Sequence, residues 1–242
     1  MLHKLPYTLL ITLLLLCSCQ KETGNVPFPY PSSKAWAHGV NTLEEAWQKS
    51  QVFEGLELDL YYSPDRDLLL VGHDPDDILD NLSFETWLEA IDQPSTHCYW
   101  LDIKNLQTQN AANIAQYVNR LADQHGLKNR IMIERWDVAA LKIVKSYGLH
   151  VILWVDDLYI SGQGEEEWRQ ALQEDIDKLH PDALSADFLM FPLLPETFPD
   201  ENIHLWDTPK AYNEENVAHT LMLMQHPSVK VVLVDYPEPV NP

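Results

Sequence analysis

The chain has 242 residues, 45% of them hydrophobic, with 37 acidic against 16 basic residues and a formal net charge of −21. That length and apolar content suffice for one large core, and α/β barrels of this size fold as single units. The charge excludes nucleic acid as a partner, since no basic footprint exists, and an anionic substrate would need a locally held cation because the global field repels it.

Residues 1–18 predict a secretory leader, with Lys4 as the positive start and Leu9 to Leu16 as an apolar run too short to span a bilayer. The leader ends Leu16-Cys17-Ser18-Cys19, which resembles a bacterial lipobox. Cleavage behind Ser18 would make Cys19 the lipidated N-terminus; Cys17 fits less well, because Leu16 would precede the cut. The alternative is an ordinary signal peptide with chance cysteines. The predicted place is therefore the bacterial cell envelope, lipid-anchored to a membrane and facing the periplasm or exterior. Residues 19–33, with Gly24, Pro27, Pro29 and Pro31, read as a tether to a domain at 34–242. Cys98 is the one thiol of that domain and is expected as a small core residue.

From Lys34 onward strands and helices alternate. Ala35 to His38 is a short strand, and Thr42 caps a helix with Glu44 and Glu45 in its first turn. Gly55 to Leu60 alternates strictly, so Leu56, Leu58 and Leu60 share one face. Glu57 and Asp59 share the other, about 7 Å apart. Taken alone, this is also the pattern of an antiparallel strand with one wet face. In a parallel sheet buried on both faces, such a pair needs a cation between its members to stay ionised. Leu68 to Val71 is an apolar run ending Gly72-His73-Asp74, and Ser83 caps a helix carrying Phe84, Trp87, Leu88 and Ile91. Cys98 to Lys104 is a strand, followed by a helix over 108–124 that ends near Gly126.

Ile131 to Glu134, Leu149 to Val155, Asp182 to Ser185, Ile203 to Trp206 and Val229 to Val234 complete the strands. Helices are expected from the Asp137 cap to Tyr147, over 165–179 and over 213–225, with an irregular proline-containing connection at 187–201. Eight strands at this spacing imply an α/β fold, a (β/α)₈ barrel.

Catalytic groups in that fold lie at the C-terminal strand ends. His38, Glu57, Asp59, His73, Asp102 and Lys104 then converge on one rim. Three carboxylates suit a hard cation such as Mg²⁺ or Ca²⁺, while zinc is disfavoured for lack of histidine or cysteine ligand spacing. Two histidines without a serine nucleophile suit general acid–base work, and a cation with two proton shuttles suits displacement at phosphorus.

At His38-Gly39-Val40-Asn41, Glu57-Leu58-Asp59, Gly72-His73-Asp74 and Leu101-Asp102-Ile103-Lys104 the sequence resembles the PLC-like phosphodiesterase superfamily. That group includes glycerophosphodiester phosphodiesterases, venom-type phospholipases D and the menorin family. The Trp206 strand and Val234-Asp235-Tyr236-Pro237 resemble the last two strands of the same pattern. The resemblance implies that Glu57, Asp59 and Asp102 hold the metal, that His38 and His73 exchange protons, and that Lys104 neutralises the phosphate. Asn41 is expected at the substrate with it. Two departures stand out: Gly39 replaces the usual arginine, and Asp102 replaces the usual glutamate, as in the venom-type and menorin patterns. The implied substrate is a small-molecule or lipid phosphodiester, such as a glycerophosphodiester or lysophospholipid. A non-catalytic binding lipoprotein and a lyase forming a cyclic phosphate are the alternatives.

Trp154 and Trp206 either line a substrate pocket or pack in the core. Glu134 either supports the site or makes a surface salt bridge. His97, His125, His150, His180, His204, His219 and His226 are expected at the surface or in loops.

Overall fold

The structure, a computed structural model, describes residues 26–76, 78, 82–157 and 162–242. The predicted leader, the Cys19 lipidation site and the first part of the tether lie outside the described residues.

Nine strands form one sheet: β1 Ala35–Ala37, β2 Gly55–Ser63, β3 Leu68–Val71, β4 Cys98–Ile103, β5 Ile131–Arg135, β6 His150–Trp154, β7 Ala183–Asp187, β8 Ile203–Trp206 and β9 Val229–Val234. Eight of them are parallel and close into a barrel, because β1 pairs with both β2 and β9. This is the predicted (β/α)₈ barrel. β3 is additional and pairs antiparallel with β2, setting Leu60 opposite Val71. It carries the chain back toward the mouth and places His73 there.

The helices are α1 Leu43–Ser50, α2 Phe84–Glu89, α3 Ala111–His125, α4 Val138–Ser146, α5 Glu165–Leu179, α6 Leu193–Thr197 and α7 Glu214–Met224. Thr42, Ser83 and Asp137 cap α1, α2 and α4 with their side chains, and Glu45 completes a capping box on α1. The connection at 187–201 is more regular than its prolines suggest, holding a 3₁₀ turn at Phe188–Met190 and then α6. Among the described residues no helix is long and apolar enough to cross a membrane.

Strand alternation divides the apolar residues into two shells. Leu56, Leu58, Leu60, Leu101 and Ile103 face outward against the helices, while Trp36, Cys98, Trp100, Met132, Ile152 and Leu233 fill the barrel. Cys98 is buried and unpaired by any disulfide, as expected of a core residue. Gly55 faces inward at the barrel floor, where a Cβ would lie 2.0 Å from the Trp36 indole; only glycine lets that ring cross the axis.

Two expectations are corrected at the floor. The tether does not extend to residue 33. Phe28 is buried against Trp36 and His150, the Tyr30 hydroxyl meets His204 Nε2 at 3.0 Å, and Cys98 Sγ meets the Pro29 carbonyl at 3.6 Å. The segment plugs the N-terminal end of the barrel because its two aromatic rings cover apolar surface that the strands leave open. Nor are His97, His150 and His204 surface residues: all three are buried. His150 and His204 sit on inward-facing strand positions, and His150 Nδ1 pairs with Asp182 Oδ1 at 2.9 Å.

Candidate active site

Pairing register sets the acidic groups. Asp59 on β2 lies opposite Asp102 on β4, and Asp102 lies opposite Glu134 on β5, so three carboxylates stand at one level on three adjacent strands. Neighbouring strands are about 4.8 Å apart. Glu57 lies one inward position below Asp59. Glu57 and Glu134 are only 3% and 4% exposed, which excludes the surface salt bridge for Glu134. The Glu134 carboxylate accepts instead from Trp100 Nε1 at 3.0 Å and from the Ser185 hydroxyl.

Burial, reinforced by Asp59 and Asp102, raises the Glu57 carboxyl well above its ordinary range, and an N–H donated from Gly39 at 2.7 Å only partly offsets it. Burial and Asp102 push Glu134 up to about 8. Gly39 sits at φ 60°, a left-handed conformation that disfavours a side chain.

One ammonium answers the cluster. Lys104 Nζ lies 2.7 Å from Asp59 Oδ1 and 2.5 Å from Asp102 Oδ2. Burial works against its charge, but Asp102 and Asp59 outweigh burial and hold its proton well above the ordinary range. Burial also raises Asp102 despite this pairing, but Lys104 is the more basic partner and keeps the proton. The lysine expected at a phosphate is thus engaged by the carboxylates. Asn41, expected at the substrate, is engaged too: its Nδ2 donates to Asp59 Oδ2 at 2.7 Å, and its Oδ1 accepts from the Asp59 backbone at 2.9 Å.

Both predicted histidines face the same cavity as the carboxylates, which measures about 770 Å³. Each has a carboxylate on Nδ1, Asp235 Oδ1 at 3.3 Å for His38 and Asp74 Oδ2 at 3.1 Å for His73. A proton held on Nδ1 leaves Nε2 to act on a substrate oxygen. Asp235 would be raised by burial, but the hydrogen bond and charge of His38 bring it below the ordinary carboxylate range. Trp154 and Trp206 line the cavity and stack at 6.4 Å and 17°.

Among the described residues no three His, Cys, Asp or Glu side chains close on a metal position, and the positive group between Asp59 and Asp102 is the Lys104 ammonium. Glu57, Asp59 and Asp102 nevertheless bring carboxyl oxygens to neighbouring positions on β2 and β4, donors of the kind that a hard divalent ion takes. Sequence reasoning missed Asp74 and Asp235 as histidine partners, and Arg135 and Trp136 as cavity walls.

No protein-family model matches the chain, and no curated protein matches its sequence. Solved structures do resemble it. A phosphodiesterase from Oleispira antarctica in complex with the product sn-glycerol-3-phosphate superposes with a TM-score of 0.65 at 15% identity, over 86% of this chain and 94% of that one. A glycerophosphodiester phosphodiesterase from Parabacteroides distasonis gives 0.61 at 13% identity, with the same coverage. A glycerol uptake operon antiterminator regulatory protein from Listeria monocytogenes gives 0.51 at 9% identity, over 87% and 96%. The shared feature is the closed parallel barrel. Identities this low carry the fold and not the chemistry.

Proposed function

We propose that the chain is a metal-dependent phosphoric diester hydrolase, similar to glycerophosphodiester phosphodiesterases, acting on a glycerophosphodiester or lysophospholipid. We infer as well that it is held at a bacterial membrane by lipid on Cys19. One observation carries the catalytic reading: two histidines, each backed by a carboxylate, face one cavity with the Glu57, Asp59 and Asp102 cluster.

In this reading one histidine Nε2 takes the proton from the attacking oxygen, and the other gives a proton to the leaving oxygen. Asp235 and Asp74 hold the two rings in the tautomer that this exchange requires. Asn41 fixes the rotamer of Asp59. Glu57, Asp59 and Asp102 would hold Mg²⁺ or Ca²⁺, which when bound supplies positive charge to the phosphoryl oxygens. The known phosphodiesterases with this barrel support the reaction class, whereas the regulatory protein of the same fold shows that the barrel itself does not carry it.

A non-catalytic binding role draws on two observations: no cationic side chain follows His38, and Lys104 is tied to two carboxylates. The deciding experiment is a panel of glycerophosphodiesters and lysophospholipids incubated with Mg²⁺, Ca²⁺ or chelator, followed by ³¹P NMR. Formation of a phosphomonoester supports hydrolysis, a cyclic phosphate supports the lyase alternative, and no turnover on any substrate supports the binding role.

A further inference from the structure

We propose that Arg135 is the group that grips the anionic part of the ligand in this cavity. The inference rests on the phosphodiester reading for the ligand's identity, but its geometry is independent of turnover. Four basic side chains line the cavity: Lys49, Lys104, Arg135 and Lys210. Lys104 is held between Asp59 and Asp102. Lys49 Nζ donates to the Tyr236 carbonyl at 2.5 Å. Lys210 is exposed, in the loop after β8. Arg135 differs from all three. Its Nε is buried yet has no hydrogen-bond partner among the described residues, and it forms no salt bridge to any described carboxylate. Its charge acts on Asp102 without a contact between them, and a buried donor left unpaired is costly, so a planar fork of N–H groups that no described carboxylate touches is suited to two oxygens of one phosphate.

Its position is fixed from two sides. Arg135 is the last residue of β5, directly after Glu134, so the barrel wall sets its backbone at the mouth. Its guanidinium lies over the Trp136 ring, 5.4 Å from the centroid, which limits its swing. Pre-ordering of this kind lowers the entropy lost when a ligand is gripped. Gly39 leaves the turn after β1 without a cation, and Arg135 supplies one from β5 instead. Two parallel N–H donors would then meet the two non-bridging oxygens of a phosphodiester, in a cavity whose carboxylates otherwise repel it.

The probe is sn-glycerol 3-phosphate, titrated calorimetrically into the folded full chain. Arg135→Gln should weaken binding by more than about tenfold, the loss expected for charge-assisted hydrogen bonds. Arg135→Lys should fall between Gln and the native residue, because lysine keeps the charge without the fork. Lys210→Gln should change affinity by less than about threefold, as befits an exposed charge. Melting curves establish that each variant is folded; should Arg135→Gln not fold, Arg135→Lys decides alone, with undiminished affinity counting against the proposal. Arg135→Gln binding like the native chain, Lys210→Gln losing as much, or a native chain that does not bind the probe would each overturn the assignment. Weakened binding in Arg135→Gln with no turnover of any phosphodiester would leave this inference standing and remove the hydrolase reading. Turnover unaffected by Arg135→Gln, with unchanged binding, would do the reverse.

Discussion

Lys104 ties two strands together through one ammonium, 2.7 Å from Asp59 on β2 and 2.5 Å from Asp102 on β4. All three side chains are about four-fifths buried. Breaking such a pair from one side leaves uncompensated charge and costs about 3–5 kcal/mol. Lys104→Met should therefore melt well below the native chain in chelator. A divalent cation can replace the lost positive charge, so Mg²⁺ or Ca²⁺ should raise the variant's melting temperature more than the native chain's. Equal responses of the two proteins to cation and chelator would count against a cation position between these carboxylates.

His38→Ala and His73→Ala should each lower phosphodiesterase turnover by roughly 10²–10⁴-fold, the usual range for a positioned general acid or base. The double variant should lose less than the product of the single losses, since the two act on one displacement. Asp235→Asn should cost more than Asp74→Asn. The His38–Asp235 pair is about two-thirds buried, whereas His73 and Asp74 are mostly exposed, and exposed pairs are worth little. Initial rates on glycerophosphocholine check all five variants, and near-native turnover in both histidine variants would end the acid–base assignment.

Glu134 makes stability depend on pH. Its carboxyl is raised from 4.5 to about 8, so between those values the folded chain keeps a proton that the unfolded chain releases. Stability contributed by this group is complete below pH 4.5 and is lost as pH rises toward 8. Glu134→Gln keeps the shape without the titration. Its melting temperature relative to the native chain should climb between pH 5 and pH 8 by on the order of ten degrees. A difference that stays flat over that range in chelator would show that Glu134 is ionised in the folded barrel.

The barrel floor gives a prediction unrelated to catalysis. Burial pushes His204 down to about 3, so it is neutral, and its Nε2 shares a hydrogen bond with the Tyr30 hydroxyl. The other ring nitrogen is already buried without a partner. Tyr30→Phe would leave both unpaired, at a cost of about 1–3 kcal/mol. A chain beginning at residue 34 would also lose the buried Phe28 ring, a further ~1.5–3 kcal/mol. Thermal melts should rank the native chain above Tyr30→Phe and that variant above the truncation. A truncated chain as stable as the native one would return the segment to the role of a tether.

The order of strands was legible because eight apolar runs recur at barrel spacing, and Glu57 and Asp59 were legible because period-two alternation puts both on one face. Partners were not. Asp235 meets His38 only because β1 pairs with β9, a relation between the two ends of the chain. The parity that Glu134 shares with Met132 would have decided between its two alternatives in favour of the interior, and the parity that His204 shares with Trp206 would have placed that ring inside instead of at the surface. The aromatic residues Phe28 and Tyr30 alternate with Pro27, Pro29 and Pro31, a pattern of extended chain laying one face on a surface, yet proline content alone suggested a tether. Lys104 was placed at a phosphate by the resemblance, which carries no register and so could not show that Asp59 and Asp102 flank its ammonium.

The His38–Asp235 contact spans 197 positions and lies on the seam where the first and last strands meet. Contacts between residues so far apart carry the full entropy of loop closure, and they are the ones that slow folding. The acidic cluster, by contrast, comes from β2, β4 and β5, within the first 135 residues. A chain emerging from synthesis thus has its carboxylates long before it has an oriented His38. The last strand is both the lock of the ring and the arrival of the carboxylate that orients His38, so a chain cut short before β9 loses closure and His38's partner together.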